Sequence, residues 1–163
     1  MNSDMIDLMF KKFDGTIITD VNQYVVDWLA RYPYSEVFIG ADSQKHKRVV
    51  KYSITICLHH IDESGIGRGC HVIFAIHVSK DFLRKEEKFN RLWKEAELAI
   101  TAAKMIEKCG KKITIHLDYN SDEACYSNIL YAAGIGLCKE EGFEALGKPY
   151  APIASICADK LCH

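Results

Sequence analysis

The chain holds 163 residues, of which 48% are hydrophobic and 26% charged, a balance that fits one globular domain with a core to bury and excludes extended disorder. Twenty-one Lys plus Arg stand against 22 Asp plus Glu, a formal net charge of -1, so a uniformly basic nucleic-acid coat is excluded and any polyanion must meet a local patch. The opening MNSDMIDLMFKKFDG lacks the basic flank and apolar run of a signal peptide, no uncharged stretch reaches membrane-spanning length, and the seven Cys are scattered without a CxxC pair. The expected setting is cytoplasmic, with reduced thiols and no membrane partner.

Asp20 to Arg31 carries Val21, Tyr24, Val25, Trp28 and Leu29 at helical spacing behind an acidic cap, and Pro33 ends it. Residues 1–34 therefore read as an N-terminal helical extension of a single domain spanning 1–163. Val37 to Ala41 is a short apolar strand that ends in Asp42-Ser43-Gln44, Lys51 to Ile61 is a second strand, and the turn ESGIGRG leads into a third, Cys70 to Val78. A long helix follows from about Asp81 to Cys109, where Gly110 stops it; Lys112 to Asp118 then alternates Ile113, Ile115 and Leu117 with Thr114, His116 and Asp118. The remainder reads as a helix from Ser121 to Glu140 with a bend near Gly134 and Gly136, a strand around Phe143 to Leu146, and a last helix from Ala151. Three sequential antiparallel strands followed by helical crossovers describe an α/β fold, a mixed sheet with helices on both faces.

Two strands of this reading end in aspartate, Asp42 and Asp118, and in open α/β sheets the crevice beyond the carboxyl ends of strands is where ligands gather. On the long helix, Leu98, Ala99, Ala102, Ala103 and Ile106 follow Glu95 at helical spacing, whereas Glu97 is followed by Ile100, Thr101, Lys104, Met105 and Lys108. Glu95 thus belongs to the packed face and Glu97 to a solvated one. A carboxylate on a packed face is costly unless compensated, and neighbouring aspartates add repulsion; a divalent cation resolves the conflict, and oxygen-only ligands favour Mg2+ or Mn2+. Asp159, in the last helix, offers a fourth carboxylate, while Asp122 or Glu123 after the fourth strand could stand in its place.

With the acids in the order Asp42, Glu95, Asp118, Asp159, the chain resembles the ribonuclease H-like superfamily over about Val37 to Lys160. More narrowly, Ile39-Gly40-Ala41-Asp42-Ser43-Gln44, Arg91-Leu92-Trp93-Lys94-Glu95, Ile115-His116-Leu117-Asp118-Tyr119-Asn120, Lys148-Pro149 and Ala158-Asp159-Lys160 are similar to the bacterial YkuK-type family of ribonuclease H-like proteins. The resemblance implies a five-stranded mixed sheet, the four acids as ligands of two Mg2+ or Mn2+ ions, and metal-dependent hydrolysis of RNA, DNA or hybrid phosphodiester bonds. Ala41 departs from the pattern, where a threonine is expected before the first aspartate.

Lys45, Lys47 and Arg48, with His46 between, follow Asp42 in the turn to the second strand and are the expected backbone-phosphate contacts. Lys80, Arg84, Lys88 and Arg91 recur before Glu95, yet Glu86 and Glu87 share that helix, and a solvated face explains the stripe. Adjacent His59 and His60 point to opposite sheet faces, which argues against a zinc site with His71 and His77; His116 shares the face of Asp118, with satisfied packing as its expected role. The alternative to a nuclease is a non-catalytic module of the same fold that binds nucleic acid or a protein.

Overall fold

The computed structural model describes residues 6–80, 87–120 and 128–148. In chain order the elements are α1 (Val21–Arg31), β1 (Glu36–His46), β2 (Val49–Ile61), β3 (Gly67–Ser79), α2 (Glu87–Met105), a 3-10 turn (Glu107–Cys109), β4 (Ile113–Asn120), α3 (Asn128–Glu140) and β5 (Glu144–Lys148). The five strands form one sheet in the order β3-β2-β1-β4-β5. β1 is antiparallel to β2 and β2 to β3, while β4 runs parallel to both β1 and β5. This is the α/β mixed sheet expected from the sequence; the final helix expected from Ala151 falls outside the described residues, as do the helix starts expected at Asp81 and Ser121.

Local chemistry sets the element ends. Asp20 caps α1 by accepting a hydrogen bond from the Gln23 amide at 3.0 Å, and Val21, Val25 and Leu29 bury one stripe of the helix. The turn between β2 and β3 is tied by Asp62, which accepts from the amides of Ser64 and Ile66 and from Arg68 Nε at 2.7 Å. Gly110 takes φ +83 after the 3-10 turn, a left-handed conformation that releases the chain into β4. On α2, Ala96, Ala99, Ala102 and Ala103 are fully buried; their small side chains let the helix lie close on the sheet. One cluster of buried residues joins the N-terminal segment at Leu8 to Ala145 in β5.

The sheet has two chemically different faces. Paired residues share a face, so Val37, Ile39, Ala41 and Ser43 lie with Leu58, Ile56 and Ile54 of β2, and through these with His71, Ile73 and Ala75 of β3. Both α1 and α2 cover this face: Trp28 stacks on His71 at 4.6 Å, and Ser43 is bonded to Glu95. Phe38, Gly40 and Asp42 occupy the opposite face, together with Thr114, His116 and Asp118 of β4; the Phe38 and His116 rings meet there at 4.7 Å.

Two boundaries that bear on the site differ from expectation, beside shifts at the ends of β2, β3, β5 and the long helix. β1 does not stop at Asp42, because its ladder with β2 continues from Asp42↔Ser53 to His46↔Val49. Lys45 and His46 are therefore strand residues, and only Lys47 and Arg48 form the hairpin turn. Lys47 has φ +54, the region that two-residue hairpin turns reserve for glycine. Lys47→Gly is expected to stabilise the fold by about 0.5–1 kcal/mol, read as a higher urea midpoint with unchanged slope. β4 likewise extends beyond Asp118 to Asn120.

Candidate functional site

Asp42 lies where β1 separates from β4. The parallel ladder between them runs from Val37↔Ile113 to Gly40↔His116, and Asp42 and Asp118 each follow its last pair by two residues. Strand alternation gives both aspartates the face of Phe38 and His116. Beyond this point β1 follows β2 alone.

Glu95 approaches from the other side of the sheet. It is 2% exposed, whereas Glu97 faces solvent, the orientation that the helical spacing predicts. Its Oε1 accepts a hydrogen bond from the Ser43 hydroxyl, and its Oε2 is buried without a partner among the described residues. Burial raises the Glu95 carboxyl well above the usual glutamate range, and the charges of Asp42 and Asp118 push it further; the Ser43 hydrogen bond and the Arg91 cation, one helical turn away, oppose the rise. The three acids thus act on one another electrostatically although Asp42 and Glu95 belong to opposite faces of β1. Among the described residues no three His, Cys, Asp or Glu side chains are grouped closely enough to hold a metal ion. Asp159 lies outside the described residues.

The donor chemistry nevertheless suits a hard divalent cation. All three carboxylates supply oxygen only, and the buried Glu95 oxygen without a donor is a place where a cation would offset desolvation. Ser43 is the residue that the sequence reading missed. Its signal was strand alternation, since it follows Val37, Ile39 and Ala41 on the packed face, yet is polar.

Lys45, Lys47 and Arg48 are exposed at the tip of the β1–β2 hairpin, with Lys45 about 10 Å along the strand from Asp42. His59 is paired with Glu36 at 3.2 Å and the His60 ring packs tilted against Tyr32 at 4.2 Å, so neither joins a cluster with the acids. His116 departs from the expected satisfied packing. It is 3% exposed, neither ring nitrogen has a hydrogen-bond partner among the described residues, and burial lowers its pKa to about 4. The neutral ring is the form the fold accepts, so its contribution is complete above pH 6.5 and is lost as the pH falls toward 4. His116→Leu, which keeps the Phe38 contact and removes two unpartnered nitrogens, is expected to add about 1 kcal/mol at neutral pH and more at pH 5. Urea titrations at the two pH values check this; a destabilised variant at both would show that the nitrogens are satisfied in solution.

No described helix is long and apolar enough to cross a membrane. No match to the chain is found among curated proteins or among solved structures. A family model described as Ribonuclease H-like matches residues 16–163, from shortly before α1 through β5 to residue 163. Together with the mixed sheet in the order β3-β2-β1-β4-β5, that match establishes that the chain belongs to the ribonuclease H-like family.

Proposed function

We propose that the protein is a metal-dependent nuclease that hydrolyses the phosphodiester backbone of nucleic acid. The observation that carries this reading is the buried Glu95 carboxylate, with one oxygen unpartnered among the described residues and the charges of Asp42 and Asp118 acting on it. An uncompensated arrangement of this kind costs stability, which a binding function explains and packing does not. Asp42, Glu95 and Asp118, with Asp159 as the fourth acid, are the residues that would hold Mg2+ or Mn2+. Such ions supply an activated water and neutralise developing charge at phosphorus.

The chain's own contribution is to hold these acids on rigid elements and to receive the strand. Asp42 is carried by β1, whose pairing with β2 continues past it, Asp118 by β4, and Glu95 by a helix whose alanines set its distance from the sheet. The exposed Lys45, Lys47 and Arg48 at the hairpin tip would meet backbone phosphates without reading bases, which fits a local patch on a chain of net charge -1.

The test is a manganese-supplemented screen of single-stranded, double-stranded and hybrid oligonucleotides, with mononucleotides alongside. Cleavage of oligomers that requires the metal and vanishes in Asp42→Asn supports the reading; hydrolysis of mononucleotides alone points instead to a small phosphate ester. A second reading, a non-catalytic module that binds nucleic acid or protein, draws on the placement of Asp42 and Glu95 on opposite faces of β1. Oligonucleotide binding with no metal-dependent cleavage would favour it.

A further inference from the structure

We infer that Ser43 is the positioning residue of the helix carboxylate: its hydroxyl fixes Oε1 of Glu95 and leaves Oε2 as the oxygen presented to a divalent cation. The inference rests on the metal-dependent reading above and deepens it.

Ser43 and Glu95 are both buried, at 8% and 2% exposure, and their hydrogen bond is the only one made to the Glu95 carboxylate among the described residues. Asn90 Nδ2 and Arg91 Nε do not replace it, since among the described residues both are buried without hydrogen-bond partners. The two oxygens of the carboxylate therefore have different roles, one anchored and one bare. Ligating carboxylates are commonly held in this way, with a hydrogen bond on the oxygen that does not face the ion.

Position 43 suits the task for reasons of backbone and side chain. It is the neighbour of Asp42, and alternation sends the two side chains to opposite faces. A single strand step thus carries the first aspartate on one face and the anchor of the helix acid on the other, so any shift of β1 moves both acids together. A serine has one rotatable bond before its hydroxyl and loses little entropy in donating; alanine would leave Oε1 as bare as Oε2.

The test titrates Mn2+ alone into the full chain and follows thermal stability, which needs no catalytic turnover. Ser43→Ala is expected to raise the metal midpoint about 10–100-fold, while Ser43→Thr, which keeps the hydroxyl, stays near the wild-type midpoint. Metal-free melting of the three proteins reports whether the fold itself has changed. If Ser43→Ala is insoluble, Ser43→Cys, of similar size with a weak donor, serves in its place and is expected to shift in the same direction. An unchanged midpoint in the Ala or Cys protein, beside a wild type that responds to Mn2+, overturns the role of Ser43 and leaves the metal reading standing. A Thr protein shifted as far as Ala overturns it too, since the hydroxyl would not be the cause. A wild type that responds to neither Mn2+ nor Mg2+ defeats the metal reading, and this inference with it.

Discussion

Asp42→Asn is expected to lower metal-dependent cleavage by roughly a thousandfold or more, a loss of about 4 kcal/mol of transition-state stabilisation, without unfolding the protein. The substitution keeps the size of the side chain and removes its charge. Asp42 is half-buried on the face of Phe38 and His116, and its backbone is held by the β1–β2 ladder through the Asp42↔Ser53 pair, which the substitution leaves intact. Its charge moreover acts unfavourably on Glu95. The backbone ladder should therefore keep the metal-free protein folded, while the gain in melting temperature on adding Mn2+ disappears. Single-turnover cleavage and a metal-dependent thermal shift, measured on the same preparation, check both halves. Undiminished cleavage would place the activity in a contaminant or at another site; an undiminished thermal shift would remove Asp42 from the metal.

How far the site could be read from sequence depends on which physical rule each residue obeys. Glu95 was legible because a helix has a fixed period, and the run Leu98, Ala99, Ala102, Ala103, Ile106 marks one face without ambiguity. Asp118 and His116 were legible as sharing a face for the same kind of reason, the period of two in β4. The end of β1 was not, because Ser43-Gln44-Lys45-His46 is polar and polarity reports solvent exposure, whereas strand extent is decided by backbone pairing with Val49, Val50, Lys51 and Tyr52. That error mattered for the site. Had β1 been carried through to His46, alternation alone would have separated Asp42 from Ser43 and shown the helix acid arriving on the far face. That His116 finds no hydrogen-bond partner among the described residues was beyond any local signal, since hydrogen-bond satisfaction depends on side chains far away in sequence.

Glu95→Gln should reverse the order of stability between metal-free and metal-bound conditions. Burial chiefly, aided by Asp42 and Asp118, raises the Glu95 carboxyl well above its usual range, so the fold favours the protonated form. The stability that this group contributes is complete below the ordinary glutamate value and declines as the pH rises toward its folded-state pKa. Glutamine cannot ionise and can still accept from Ser43 through its side-chain carbonyl. Without metal the two proteins are expected to be alike near pH 4 and to diverge as the pH rises, with Glu95→Gln melting a few degrees higher at neutral pH. Divalent cation changes the comparison. At about 100 times its dissociation constant a bound ion adds about 2.7 kcal/mol to whichever protein binds it, and only the wild type retains the charge that would attract the ion. Saturating Mn2+ should thus lift the wild type above the variant and restore cleavage in the wild type alone. A variant that is less stable without metal and gains as much from Mn2+ would mean that Glu95 is a packing residue, and that the ion is held elsewhere.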